Sequence, residues 1–294
     1  KRGQIMPELP KYPIYIPTKG RWETPFTIRA FQKDEVPIHV VIEESELENY
    51  EKHCSSPTTT FLTLPFSNAG SVIPSRNWIM EHSIEHYGSA RHWQFDDNQD
   101  KFLRYYKGRS IPIQSHIALR MVEDFTDRYK NIAVSGFDYE MFVVRGKQTK
   151  PFTRNCRVYS ASLHNNSAPF RWRGRYNEDV DWCLQALSTG WWSTILFRAV
   201  HIRKRATMTL KGGNTDELYQ DDGRNYMSRS LERLWPGVVK TKRRFGRPQH
   251  VVSHSWGHFD NPFIPADDPQ PIPEYAMKIE GTPESKSLRN ALDL

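Results

Sequence analysis

The sequence predicts an α/β fold in which a mainly parallel sheet is flanked by helices, followed by a less regular C-terminal portion. Two observations carry this. Apolar β-type runs alternate with helical or long connecting segments through the first third of the chain, and each of those runs stops at a cluster of polar residues. In open α/β sheets the carboxyl ends of the strands are where ligands bind, so the polar stops also point to the site. At 294 residues the chain is long enough to bury a large core.

Tyr12-Pro13-Ile14-Tyr15-Ile16 reads as a first strand ended by Pro17-Thr18-Lys19-Gly20-Arg21, and Ile38-His39-Val40-Val41-Ile42 as a second ended by Glu43-Glu44. A helix is expected between Ser75 and Tyr87 with Ser75 as its N-cap, followed by a strand His92-Trp93-Gln94-Phe95 that runs into Asp96-Asp97-Asn98. Ile117, Ala118, Met121, Val122 and Phe125 lie at helical spacing, and Ile132-Ala133-Val134 reads as another strand. Asn177 is placed to cap a helix whose apolar face is Val180, Cys183, Leu184 and Leu187, with Gly190 as terminator. Beyond Arg205 the order is less regular: Lys211-Gly212-Gly213-Asn214 is a loop and Tyr226 to Trp235 a helix. The segment after Asp260, rich in Pro and charge, reads as extended and weakly packed. The expected organisation is one domain over residues 1–260, in halves at roughly 11–135 and 136–260, with a tail at 261–294.

Lys and Arg number 41 against 34 Asp and Glu, a formal excess of +7, which favours a polyanionic partner. Cys54, Cys156 and Cys183 are far apart, odd in number and free of Cys-x-x-Cys spacing, which argues against a disulfide framework and a zinc site. No apolar run approaches the ~20 residues of a membrane helix, and no secretory signal is evident. A cytoplasmic location without membrane attachment is the resulting expectation.

The sharpest local signal is Asp96-Asp97-Asn98 at a strand end, where hard oxygen ligands suit Mg²⁺ or Mn²⁺ and can bridge it to a diphosphate. An isolated cluster of this kind is commonly just a turn; its significance comes from its surroundings. Thr18, Arg21 and Glu43 or Glu44 follow the first two strands, where a nucleoside would sit. Asn68-Ala69-Gly70 and Ser75-Arg76-Asn77 add amides, small residues and a helix N-terminus. Lys211, Gly212 and Gly213 are placed to fold over a diphosphate. Glu178 and Asp179, in the first turn of the Asn177-capped helix, complement the helix dipole, and Asp179 is positioned as a base for an acceptor hydroxyl. One base opposite a leaving group implies inversion. His254 or His258 is a late metal-ligand candidate. Arg171, Trp172, Arg173 and Arg175, with further basic residues at Arg198, Arg203 to Arg205 and Lys240 to Arg247, interleave cations with rings as a nucleic-acid channel does.

Taken together, Ile16-Pro17-Thr18-Lys19-Gly20-Arg21, Ser75-Arg76-Asn77, Phe95-Asp96-Asp97-Asn98, Asn177-Glu178-Asp179-Val180-Asp181, Lys211-Gly212-Gly213-Asn214 and the segment from Phe245 to Phe259 make the chain resemble the phage TET/JBP-associated glycosyltransferases. That resemblance implies a GT-A-like, Rossmann-like fold, a UDP-sugar donor, Mn²⁺ or Mg²⁺, and DNA carrying 5-hydroxymethylcytosine or 5-hydroxymethyluracil as acceptor, in the cytoplasm of an infected bacterium. It further implies that Asp96 binds ribose or metal, that Asp97 is a metal ligand with Asn98 a further candidate, that Asp179 is the base and that His254 is the late ligand. Reaching a base within a duplex requires extruding it or meeting it single-stranded. The competing readings are a cytoplasmic transferase acting on polysaccharide or protein, a nuclease whose Asp96, Asp97, Glu178 and Asp179 hold two ions, and a non-catalytic nucleic-acid-binding module.

Overall fold

A computed structural model describes residues 8–271 apart from 69, 145, 147, 148, 206–209, 214–222, 245 and 253–255. In chain order the elements are β1 (Ile14–Pro17), α1 (Phe26–Gln32), β2 (Ile38–Glu43), α2 (Leu47–Cys54), β3 (Thr59–Leu64), α3 (Ile73–Tyr87), β4 (Arg91–Phe95), β5 (Gln99–Tyr106), β6 (Arg109–Ile113) and α4 (Ser115–Thr126). They continue with β7 (Ile132–Tyr139), β8 (Phe152–Arg154), β9 (Ala161–Asn165), α5 (Glu178–Leu187), β10 (Ser193–Lys204), α6 (Gly223–Leu234), β11 (Val239–Arg244) and β12 (Arg247–Val252).

Ten strands form one sheet in the order β3-β2-β1-β4-β9-β7-β10-β5-β6, with β8 also on β10. Side chains alternate across it, and the alternation sorts them into two cores. Ile14, Ile16, Val40, Ile42, Ile195 and Phe197 point to the side covered by Ile28 and Phe31 of α1, Tyr50 of α2, and Ala118, Leu119 and Val122 of α4. The intervening Tyr15 and Val41 meet Ile79 of α3 on the opposite side, where Leu196 packs with Trp182, Cys183 and Ala186 of α5. Burial on both faces is why β1 and β2 are continuous apolar runs.

β3, β2, β1 and β4 are mutually parallel, as are β7 and β10, while β9 enters antiparallel between β4 and β7. The fold is therefore the expected α/β, GT-A-like architecture, with its parallel region concentrated on the N-terminal side. Chain order reverses at β1, whose neighbours are β2 on one side and β4 on the other, and such a switch point opens a crevice at the carboxyl ends of the two strands.

Three local expectations change. The third helix begins at Ile73 with Pro74 in its first turn, so Ser75 is a buried helical residue and not the cap. Asn177 does precede α5, but at φ 56° and with its amide donating to Met227 O at 2.8 Å, which ties α5 to α6 instead of capping the helix. Past Asp260 the first residues are anchored: Asn261 donates to Leu187 O at 2.9 Å and Trp192 O at 2.6 Å, and Phe263 packs on Tyr129 at 4.9 Å.

Candidate functional site

The crevice between β1 and β4 is a cleft of about 400 Å³, lined among others by Thr18, Arg21, Glu43, Asn68, Ser75, Arg76, Asp96, Asp97, Asn98, Arg175, Glu178, Lys204 and Gly213. Strands from distant parts of the sequence deliver these groups because their carboxyl ends share one edge.

After β1, Thr18 to Arg21 turns across that edge. Arg21 is 6% exposed and its guanidinium forms a buried ion pair with Asp97. Thr18 Oγ1 donates to the other Asp97 oxygen at 2.8 Å, so the 2.8 Å contact between Thr18 and Tyr50 has the Tyr50 hydroxyl as donor. Tyr50 in turn accepts the Arg21 amide at 3.1 Å. Both Asp97 oxygens are committed to the protein, and a cation there would have to displace Arg21.

The Gly-Gly loop sits directly on this turn. Gly213 N–H donates to Lys19 O at 2.8 Å and Arg21 donates to Gly212 O at 3.2 Å. A Cβ on Gly212 would lie 2.2 Å from Gly20 O, and one on Gly213 2.6 Å from Arg21 Nη2. Both glycines also have positive φ, 79° and 76°, so the close approach and the backbone shape each require glycine. Gly213 borders the cleft, whereas the Lys211 side chain is exposed and is not among the lining residues.

Glu43, at the end of β2, braces the opposite wall by accepting Asn68 N–H at 2.9 Å and pairing with Lys19 at 3.4 Å. Asn68 Oδ1 and Ser75 Oγ are buried beside the cleft without a hydrogen-bond partner among the described residues. Unpaired buried polar atoms are costly, which fits groups awaiting a polar ligand.

Arg76 is the electrostatic centre. It is 2% exposed, donates to Gln94 Oε1 at 3.2 Å and Asp96 Oδ1 at 3.0 Å, and lies 3.6 Å from Glu178 and 3.9 Å from Asp179. Burial opposes its charge, but the Asp179, Asp96 and Glu178 carboxylates outweigh burial and hold the guanidinium above its ordinary value. Lys204, the last residue of β10, reaches Asp96 Oδ2 at 3.4 Å, Tyr139 OH at 3.1 Å and Ser160 Oγ at 2.9 Å. Burial raises the Asp96 carboxyl, yet Lys204, Arg76 and Ser160 together hold it below the ordinary range. Asp179, beside Glu178 on the first turn of α5, responds oppositely: burial and its Glu178 and Asp96 neighbours push its carboxyl up to about 7, against Arg76 and Lys204.

The remaining expected residues divide. Asn98 is 1% exposed and its amide donates to Arg205 O at 2.9 Å. His254 lies outside the described residues, and His258 is exposed. Among the described residues no group of three or more His, Cys, Asp or Glu is arranged to hold a metal ion. Trp172 is a correction: it is 2% exposed and packs against Trp182 and His164, so its ring belongs to the core and cannot stack on a base. Arg173 makes a bidentate contact with buried Asp181 at 2.9 and 3.1 Å, while Arg171 and Arg175 are exposed and Arg175 borders the cleft. Lys204, Tyr139, Ser160 and Gln94 were not singled out by motif; Lys204 carried only the signal of belonging to a basic run.

A polar crevice at the switch point of an α/β sheet, lined by an ionised carboxylate and two buried guanidinium groups with a carboxyl poised near neutrality beside it, is the candidate active site. The sequence model of the TET-Associated Glycosyltransferase family matches residues 12–213, more than half of the chain, and the chain belongs to this family. It is thus a glycosyltransferase, an enzyme taking a sugar donor and an acceptor. No curated protein matches the sequence. No helix among the described residues is long and apolar enough to cross a membrane.

Proposed function

We propose that the enzyme transfers the sugar of a UDP-sugar, with inversion, to the hydroxymethyl group of 5-hydroxymethylcytosine or 5-hydroxymethyluracil in DNA, with Asp179 as general base. The observation that carries this reading is the set of charges gathered on Arg76: Asp96, Lys204 and Glu178 line the cleft, and Asp179 lies beside Glu178, 3.9 Å from the same guanidinium. A nucleoside fits between the Thr18–Arg21 turn, Glu43 and Asn68, which leaves its diphosphate toward Asp96 and Lys204. The acceptor then enters over the first turn of α5.

Asp179 takes the proton of the attacking hydroxyl as the oxygen bonds to the anomeric carbon and the bond to the diphosphate breaks, and its value near 7 keeps about half of it ionised at neutral pH. Lys204 and the buried Arg76 offset the charge that develops on the leaving diphosphate. The ionised Asp96 carboxylate borders the cleft with Arg76 on one oxygen and Lys204, at 3.4 Å, on the other, so a hard cation held there would exchange with the Lys204 contact and take most of its ligands from phosphates and water. Mn²⁺ or Mg²⁺ held there with the donor would supply further neutralisation of the leaving group. The three carboxylates engage Arg76 instead of grouping around two ion positions, which weighs against the nuclease reading.

Transfer is tested by incubating the enzyme with UDP-glucose, UDP-GlcNAc and UDP-galactose and with DNA that does or does not carry hydroxymethylpyrimidines, and weighing the digested nucleosides. Transfer confined to the hydroxymethylated DNA is expected. Transfer to a polysaccharide or protein acceptor with none to hydroxymethylated DNA would overturn the acceptor assignment.

A further inference from the structure

The C-terminal hairpin lies beyond the 12–213 family match and takes no part in the cleft. β11 and β12 pair antiparallel from Val239↔Val252 to Arg244↔Arg247. The period-two alternation separates two faces. Val239 and Val252 turn toward Leu231 of α6 and Val180 and Leu184 of α5. Lys240, Lys242, Arg244 and its partner Arg247 therefore share the outer face, and all four are exposed. None of the four forms an ion pair with a carboxylate among the described residues. Four like charges held together on a rigid ribbon repel one another, so the arrangement favours a partner that supplies negative charge at regular intervals. Alternate strand residues are about 6.8 Å apart, roughly twice the 3.4 Å axial charge spacing of one nucleic-acid strand.

The hairpin is also fastened to the catalytic helix. Trp235, the residue after α6, donates its indole N–H to Asp181 of α5 at 2.7 Å, and Asn177 at the start of α5 donates to Met227 of α6 at 2.8 Å. The inner face of the ribbon is thereby packed on the helix whose first turn bears Glu178 and Asp179.

We infer that the outer face of the β11–β12 hairpin grips the sugar-phosphate backbone of the acceptor DNA. The choice of DNA as the polyanion rests on the function proposed above, and the test separates the two. Binding of unmodified duplex DNA is measured by fluorescence anisotropy from 50 to 200 mM salt for the wild-type protein and for a variant carrying Lys240→Gln, Lys242→Gln, Arg244→Gln and Arg247→Gln, with melting temperature as the check on folding. Each phosphate contact contributes about 0.9 to the slope of log K against log salt, so losing four lowers the slope by about 3.6. Across this salt range the wild-type affinity should fall about 150-fold further than that of the variant. An unchanged slope in the folded variant overturns the inference. So does loss of binding to phosphatidylglycerol vesicles with DNA binding unaltered, which would make the face a membrane contact. A lowered slope in an enzyme that never glycosylates hydroxymethylated DNA upholds the grip and overturns only the acceptor reading.

Discussion

Replacing Asp179 with Asn should harm catalysis and stabilise the fold at the same time. The carboxyl of Asp179 is moved from the ordinary 3.8 to about 7 by burial and by Glu178 and Asp96. Because the folded-state value lies above the unfolded one, the native state binds this proton more tightly. Its stabilising effect is complete below about pH 4 and is lost as pH rises through 7. Above pH 7 the ionised side chain thus penalises the fold, at about 1.4 kcal/mol per pH unit of displacement by as much as ~4 kcal/mol. Asn removes that penalty while Asp96 and Glu178 still balance Arg76. The variant should melt higher than wild type at pH 8, with the gain shrinking toward pH 5. Activity should move the other way. A base titrating near 7 is about one-tenth ionised at pH 6 and about nine-tenths at pH 8, so wild-type kcat/KM should rise about tenfold between them, and Asn should lower kcat by about 10²–10⁴-fold and flatten the profile. Differential scanning calorimetry and initial-rate profiles over pH 5–9 supply both readouts. A variant that is less stable at pH 8, or a wild-type profile that is flat from 6 to 8, refutes the assignment.

Arg21→Ala strands Asp97 as an uncompensated buried charge and should cost about 3–5 kcal/mol in urea unfolding, with much of the loss restored by adding Asp97→Asn. Gly212→Ala places a Cβ 2.2 Å from Gly20 O at φ 79°, so the loop should lift from the β1 turn. Donor affinity, read as the UDP-induced melting shift, should then fall while the rest of the sheet stays folded. Lys204→Met removes the cation beside Asp96 and should lower kcat by about 10²–10³-fold with a smaller change in KM. Trp172→Ala opens a cavity against Trp182 and His164 and should destabilise the protein by about 3–5 kcal/mol without altering the salt dependence of DNA binding.

The cleft's ingredients were visible in the chain because β1, β2 and β4 each stop abruptly at polar residues, whereas the Thr-rich β3 gave no such signal. β1, β2 and β4 are buried on both faces, so their patterns are plain, and the rule that ligands bind at carboxyl ends picked out Thr18, Arg21, Glu43 and Asp96 together. α5 was equally legible from Val180, Cys183, Leu184 and Leu187. The hairpin β5–β6 carries charged residues at exposed positions, the buried strand β9 mixes Ser162, His164 and Asn165 with its apolar residues, and the antiparallel pairings of β9 with β4 and of β10 with β5 depend on partners far away in sequence.

What the sequence by itself determined was the α/β class, the acidic strand end, the acidic first turn of α5 and the positions of the glycines, because propensity, alternation and turn chemistry act within a few residues. Only the tertiary structure decided what those groups do to one another. Asp96 and Asp97 are neighbours, yet one faces the cleft between Arg76 and Lys204 while the other is closed by Arg21 and Thr18. Trp172 and Arg175 share a basic run, yet one is core and the other borders the site. The physical reason is that burial and Coulomb interactions depend on distances between residues as remote as Asp96 and Lys204, and the fold alone sets those distances.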